Sequence, residues 1–97
     1  MATYAELFEL QKNSELRNKV TVAVIVAAEA IRAEATPTVP RLAWAKAAFE
    51  NPQQEAVRML MAILAANKSA TVAQITGASD SAIQTKVDAA VAIFAGS

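Results

Sequence analysis

Apolar residues recur along this chain at intervals of three and four, the period of a helix with one side turned to a core. Leu16, Val20, Ala23, Val24, Ala27 and Ile31 form one such stripe, and Ile83, Val87, Ala90, Val91 and Phe94 form another. Ala56, Val57, Leu60, Met61, Ile63 and Leu64 make the broadest apolar face. Strand-like alternation and internal repeats are both missing. The residues between the stripes place the helix ends. Thr3 followed by Glu6 is a capping box that opens a helix over about 4–12 carrying Leu7, Phe8 and Leu10. Ser14 caps a long helix over 15–34, which stops at Thr36-Pro37-Thr38-Val39-Pro40 because proline cannot continue it. Pro40 suits the first turn of a helix over 40–50, with Leu42, Ala45 and Phe49 on one face. Asn51-Pro52 then opens 52–67, which Asn67-Lys68-Ser69 closes. A short turn of helix at 71–76 ends at Gly77, a residue suited to the left-handed terminator, and Ser79 or Ser81 caps the last helix over 80–95. The expectation is an all-α fold, a compact bundle of about five helices in a single domain spanning 1–97.

Composition strengthens this reading and the middle of the long helix complicates it. Alanine supplies 24 of 97 residues, while glycine and proline together supply only five. From Val20 to Ala28 the only polar side chain is the Thr21 hydroxyl. At about 100° per residue, Val22, Ile25 and Val26 point nearly opposite to the core stripe, toward the side that carries Glu15, Asn18, Lys19 and Glu29. A membrane span needs about 20 apolar residues, and charges stand at Lys19 and Glu29, so no membrane association is expected. The surplus strip has two explanations: neighbours in the same chain cover it, or another subunit does. Arg41 and Trp44 share a helix face about 100° from the Leu42, Ala45, Phe49 stripe. Arg and Trp are common interface anchors, and the alternative for Trp44 is to cap the bundle's own core. The candidate interface residues are Val22, Ile25, Val26, Arg41 and Trp44.

Charge and residue types narrow the chemistry. Nine basic and nine acidic residues cancel, so no net field draws in nucleic acid or an anionic membrane. Histidine and cysteine are both absent, which removes thiolate nucleophiles, imidazole bases, disulfides and Cys/His zinc sites. Glu6 and Glu9 stand where a signal peptide has basic residues and an apolar core, so synthesis and retention in a cytoplasm are expected. The carboxylate pairs Glu29/Glu34 and Glu6/Glu9 fall at solvated helix positions, unlike a desolvated catalytic acid. Glu50 and Glu55 flank Asn51-Pro52 without the oxygen-rich loop that a hard cation requires. Gly77 and Gly96 are the only glycines, too few for a phosphate-binding loop. No enzymatic activity, cofactor or metal is expected.

The stretch TVAQITGASDSAIQTKVDAAV has the rhythm of a helix-turn-helix, with Val72 and Ile75 inward before the turn and Ile83 and Val87 inward after it. From Ser79 onward, however, Lys86 is the one cation against Asp80 and Asp88, and Gln84 the one amide able to read a base. Sequence-specific binding of nucleic acid is therefore the less favoured reading.

The order of LRNKVTVAVIVAAEAI, RLAWAKAAFENPQQEAVRMLMAILAANKSATVAQI and SDSAIQTKVDAAVAIFA resembles the small all-helical virion proteins that tailed bacteriophages encode near their major capsid protein. The resemblance runs from Tyr4 to Ala95 and lies in hydrophobic pattern, so no individual residue role is carried over. It implies a structural role in the virion, as a multi-copy head-tail connector or adaptor that forms a homo-oligomer against the portal, neighbouring connector subunits or capsid subunits. It places the protein in the virion after synthesis in the bacterial cytoplasm. The alternatives are a capsid-associated cement protein and, from another class, a small helix-turn-helix regulator of DNA.

Overall fold

The computed structural model describes residues 3–67 and 69–96, and its helices are α1 (Tyr4–Leu10), α2 (Ser14–Arg32), α3 (Val39–Glu50), α4 (Pro52–Ala66), α5 (Val72–Thr76) and α6 (Asp80–Ala95). No strand occurs among the described residues, and the protein is the small all-α bundle that the periodicity predicts. Lys68, expected to help close the fourth helix, lies outside the described residues.

Local chemistry sets the helix ends. Both halves of the α1 capping box form: the Glu6 N–H donates to Thr3 Oγ1 at 3.2 Å, and the Thr3 N–H donates to Glu6 Oε1 at 3.0 Å. α1 ends two residues short of the expected 12. The N–H groups of Lys12 and Asn13 turn instead to the carbonyls of Glu9 and Leu10, each at 3.0 Å, which tightens the exit into a sharper turn. Asn13, not Ser14, then caps α2: its backbone is still extended and its Oδ1 accepts the Leu16 N–H at 2.9 Å, so Ser14 is already helical. Asn51 serves two helices, its N–H donating to Ala47 O at the end of α3 and its side chain accepting from the Gln54 N–H at the start of α4. Gly77 departs from expectation. Its φ is −87°, outside the left-handed region, and glycine is required there because a Cβ would stand 2.9 Å from the Ala73 carbonyl oxygen. The positive φ falls at Gly96 (86°), just beyond α6.

α2 is the hub: α3, α4 and α6 all pack on it. Its buried residues are the six of the predicted stripe with Ala28 added. α4 contributes Ala56, Met59, Leu60, Ile63 and Leu64, and α6 contributes Ile83, Val87, Ala90, Val91 and Ala95. No polar or charged residue is buried among the described residues. Met61 and Phe94, which the periodicity puts on the apolar faces of their helices, are exposed instead, as is Phe8 of α1. For Met61 the reason is angular, since it sits about 140° around α4 from the middle of the buried face. α3 is turned by roughly a quarter of the circle from the predicted phase, burying Trp44, Ala45 and Ala48 and leaving Leu42 on the surface. Burying the indole removes more apolar area from water than burying Leu42 does, and Ala48 lets the helix approach closely.

Two outcomes test this packing. Leu60→Ala lowers the unfolding free energy by about 3 kcal/mol, while Met61→Ala costs less than about 1 kcal/mol, both read from denaturant midpoints. The Glu6 carboxyl is held below the ordinary carboxylate range, first by the Thr3 backbone N–H and then by the Thr3 side chain. A depressed pKa stabilises above the unfolded-state value, and that stabilisation disappears as pH falls through the folded-state value. The protection of the first-turn amides of α1 against exchange, taken relative to the unfolded-chain rate at each pH, therefore falls on acidification, and Glu6→Gln removes that acid dependence.

Candidate functional site

The middle of α2 carries an apolar strip on its outward side. Val22 is 62% exposed and Val26 47% exposed, while Ile25 is half-buried. Neighbours in the chain approach this side and stop short of it. Gln84 of α6 reaches across to donate Nε2 to the Ala23 carbonyl at 3.1 Å and to Asp88 Oδ1 at 3.0 Å. Lys19 Nζ donates to the Ala78 carbonyl at 3.4 Å and lies 3.9 Å from Glu15 Oε1. Val22 thus shares a hollow with Glu15, Asn18, Lys19, Asp80 and Gln84. Glu29, one turn after Val26 on the same side, is exposed. The strip is apolar at its centre and acidic at its edges.

A second apolar face lies on α4 and its flanks. From Met59 to Ala66 no side chain is polar, and only one side of that stretch is buried. Tyr4, Leu7 and Phe8 of α1 form one groove with Met61 and Ala65. On the other flank, Ala62 and Ala66 form a second groove with Lys86, Ala89, Ile93 and Phe94 of α6. Ile93 is 82% exposed. Arg58 lies over the Phe94 ring at 4.3 Å, a cation–π contact that holds the ring at the groove edge. Lys86 Nζ is fixed by Asn67 Oδ1 at 2.9 Å, and Asn67 Nδ2 donates to the Ile63 carbonyl at 2.7 Å. Sequence reasoning missed this face because it assigned Met61 and Phe94 to the core. The charge-free run MLMAILAA was its available signal.

Arg41 and Trp44 are placed differently from the strip: Trp44 takes the alternative place expected for it, against the bundle's own core, and Arg41 is engaged by neighbours in the chain. Trp44 is only 6% exposed and donates Nε1–H to Glu55 Oε1 at 2.8 Å. The same oxygen accepts from Arg58 Nε at 3.0 Å. Arg41 donates to Glu34 Oε1 from Nε at 3.1 Å and to the Gly96 carbonyl from NH1 at 2.6 Å, tying the start of α3 to the end of α6. Both side chains are engaged within the chain: the indole because its apolar body favours the core and its N–H finds a carboxylate, the guanidinium because two acceptors converge on it.

The carboxylates singled out in the sequence are dispersed. Glu6 belongs to the capping box, Glu9 lies 3.6 Å from Lys12, Glu34 pairs with Arg41, and Glu55 serves Trp44 and Arg58. Among the described residues no cluster of three or more acidic, histidine or cysteine side chains is positioned to hold a metal ion. In the helix-turn-helix segment, the two residues suited to nucleic acid are occupied, Gln84 by α2 and Asp88, and Lys86 by Asn67. Among the described residues no helix is long and apolar enough to cross a membrane. No family model matches the chain, and no curated protein or solved structure shows significant similarity to it.

What the fold defines is a small helical bundle with two apolar surfaces outside its core. The link between α3 and α4 is testable: Trp44→Phe keeps the ring and removes the N–H, and the loss of this charge-assisted bond at Glu55 lowers stability by about 2 kcal/mol in chemical denaturation.

Proposed function

We propose that this protein is a structural component of a tailed-bacteriophage virion, present in many copies at the head-tail joint and acting through protein–protein contacts. The observation that carries the reading is the exposure of Val22 and Val26 in the middle of the longest helix. Helix packing has not covered these side chains, and they contribute nothing to the core that α2 builds on its other side. A subunit surface of this kind is energetically useful when another chain covers it, because each fully buried valine contributes about 1.5–3 kcal/mol relative to exposure. The bacteriophage assignment itself rests on the resemblance of the sequence pattern to small helical virion proteins. The cement-protein alternative uses the same surfaces against the capsid shell. For a DNA-binding regulator the features of α6 are less favourable, since Asp80 and Asp88 flank Gln84 and Lys86, and both of these are engaged within the chain.

The test is a double substitution at exposed positions, Val22→Lys with Val26→Lys, in tagged chain expressed in the host during particle production. Wild-type chain co-sediments with the purified particles, and the variant remains helical by circular dichroism but is lost from them. Absence of the wild-type chain from particles overturns the virion assignment. Retention of the folded variant shows instead that the strip is not the contact.

A further inference from the structure

We infer that the α2 strip of one copy docks into the groove between α4 and α6 of the next copy, a head-to-tail contact between two different surfaces. The inference rests on the multi-copy reading above and adds the surface that receives the strip.

The first support is that the two surfaces are built from different residues. The strip lies on α2 alone, at Val22, Ile25 and Val26, and the groove is lined by Ala62 and Ala66 of α4 with Lys86, Ala89, Ile93 and Phe94 of α6. A contact that joins these unlike surfaces uses each of them once per copy.

The second support is charge complementarity. On the strip side, Glu15 and Asp80 line the hollow beside Val22, Glu29 follows Val26 on the same side of the helix, and Asp88 accepts from Gln84 next to it. Lys19, 3.9 Å from Glu15, offsets that carboxylate, and Asp80, Glu29 and Asp88 supply the acidic edge. On the groove side the signs reverse. Lys86 lines the groove with no carboxylate among its lining residues, and Arg58 stands over Phe94 at its edge. Arg58 is paired with Glu55, but its side chain is 52% exposed and that of Glu55 only 13%, so the outermost charge is positive. An acidic-edged strip of branched apolar side chains thus faces a basic-edged apolar groove walled by Ile93 and Phe94. Complementary edges of this kind fix the register of an interface and disfavour strip-on-strip pairing, where like charges meet.

Because the chain contains no cysteine, thiol crosslinking reads the contact directly. Val26→Cys and Ala66→Cys each place a single thiol at an exposed position, one on the strip and one in the groove. The two folded variants are mixed and oxidised with diamide. The expected result is a mixed disulfide dimer in excess of the statistical proportion, with a yield that falls as salt is raised because the edge charges are screened. Preferential Val26→Cys homodimers overturn the proposal in favour of a symmetric strip-on-strip contact. A statistical mixture, or no dimer, overturns it as well. If the Val22→Lys, Val26→Lys variant is excluded from particles while the mixed disulfide fails to form, the virion reading stands and the strip meets a surface other than this groove.

Discussion

A helix surrounded by packing partners hides only the sides those partners cover, and the architecture of this protein turns on that limit as it applies to α2. Three helices, α3, α4 and α6, pack on α2. The two remaining helices are short, seven residues in α1 and five in α5, and α5 packs chiefly against α1. Among the described residues no element is left to close the fourth side of α2, so the core stripe is sealed and Val22 and Val26 stay in contact with solvent. Branched residues lose side-chain freedom in a helix and are poorer helix formers than alanine or lysine by a few tenths of a kcal/mol each. On a surface that nothing ever covered, they would cost helix stability and return no burial.

The bundle is held by close approach and by polar links at its corners. Alanine at Ala23, Ala27 and Ala28 of α2, Ala45 and Ala48 of α3, and Ala56 of α4 is buried, which leaves little side-chain bulk between the helix axes. Such a core gains less from each residue than a leucine-rich one, and it depends correspondingly on contacts made over long stretches of helix. At one corner a chain of contacts runs from the Trp44 indole to Glu55, from Glu55 to Arg58, and from Arg58 to the Phe94 ring, joining α3, α4 and α6. At the other, Arg41 joins the start of α3 to Glu34 and to the carbonyl of Gly96. These links explain why residues that resemble interface anchors in the sequence are occupied within the chain.

Legibility varied with how sharply each helix divides into two sides. α2 and α6 have apolar stripes bordered by charges, and their buried residues were readable almost one by one, as were the caps at Thr3 and Asn51, while the last cap, Ser79, was one of two serines the sequence offered. α3 was not readable in this way. Leu42, Trp44, Ala45, Ala48 and Phe49 spread over much of its circumference, so periodicity allowed more than one phase and packing of the large indole chose between them. Phe94 misled for a related reason: an aromatic at the last turn of a helix lies where the core thins, and a cation over its ring stabilises it at the surface. Gly77 was read as a conformational requirement when it is a spatial one, imposed by a carbonyl that only the folded backbone positions. The surplus on α2 was visible from helical phase, but whether its own chain covered it depended on the lengths and directions of the other helices.

Contacts between unlike surfaces raise the question of what stops them. A head-to-tail contact closes into a ring only when the rotation from copy to copy returns to the start, and otherwise continues as a filament. With nine positive and nine negative side chains, this chain has no net charge whose accumulation would oppose growth. The docking surfaces are also modest, a strip of three branched residues against a groove between two helices, so each contact is weak and gains from a template that holds neighbouring copies at high local concentration. On the proposed reading, the particle supplies that template: weak lateral contacts keep the free chain from polymerising, and a symmetric platform sets how many copies meet and makes the last contact close on the first.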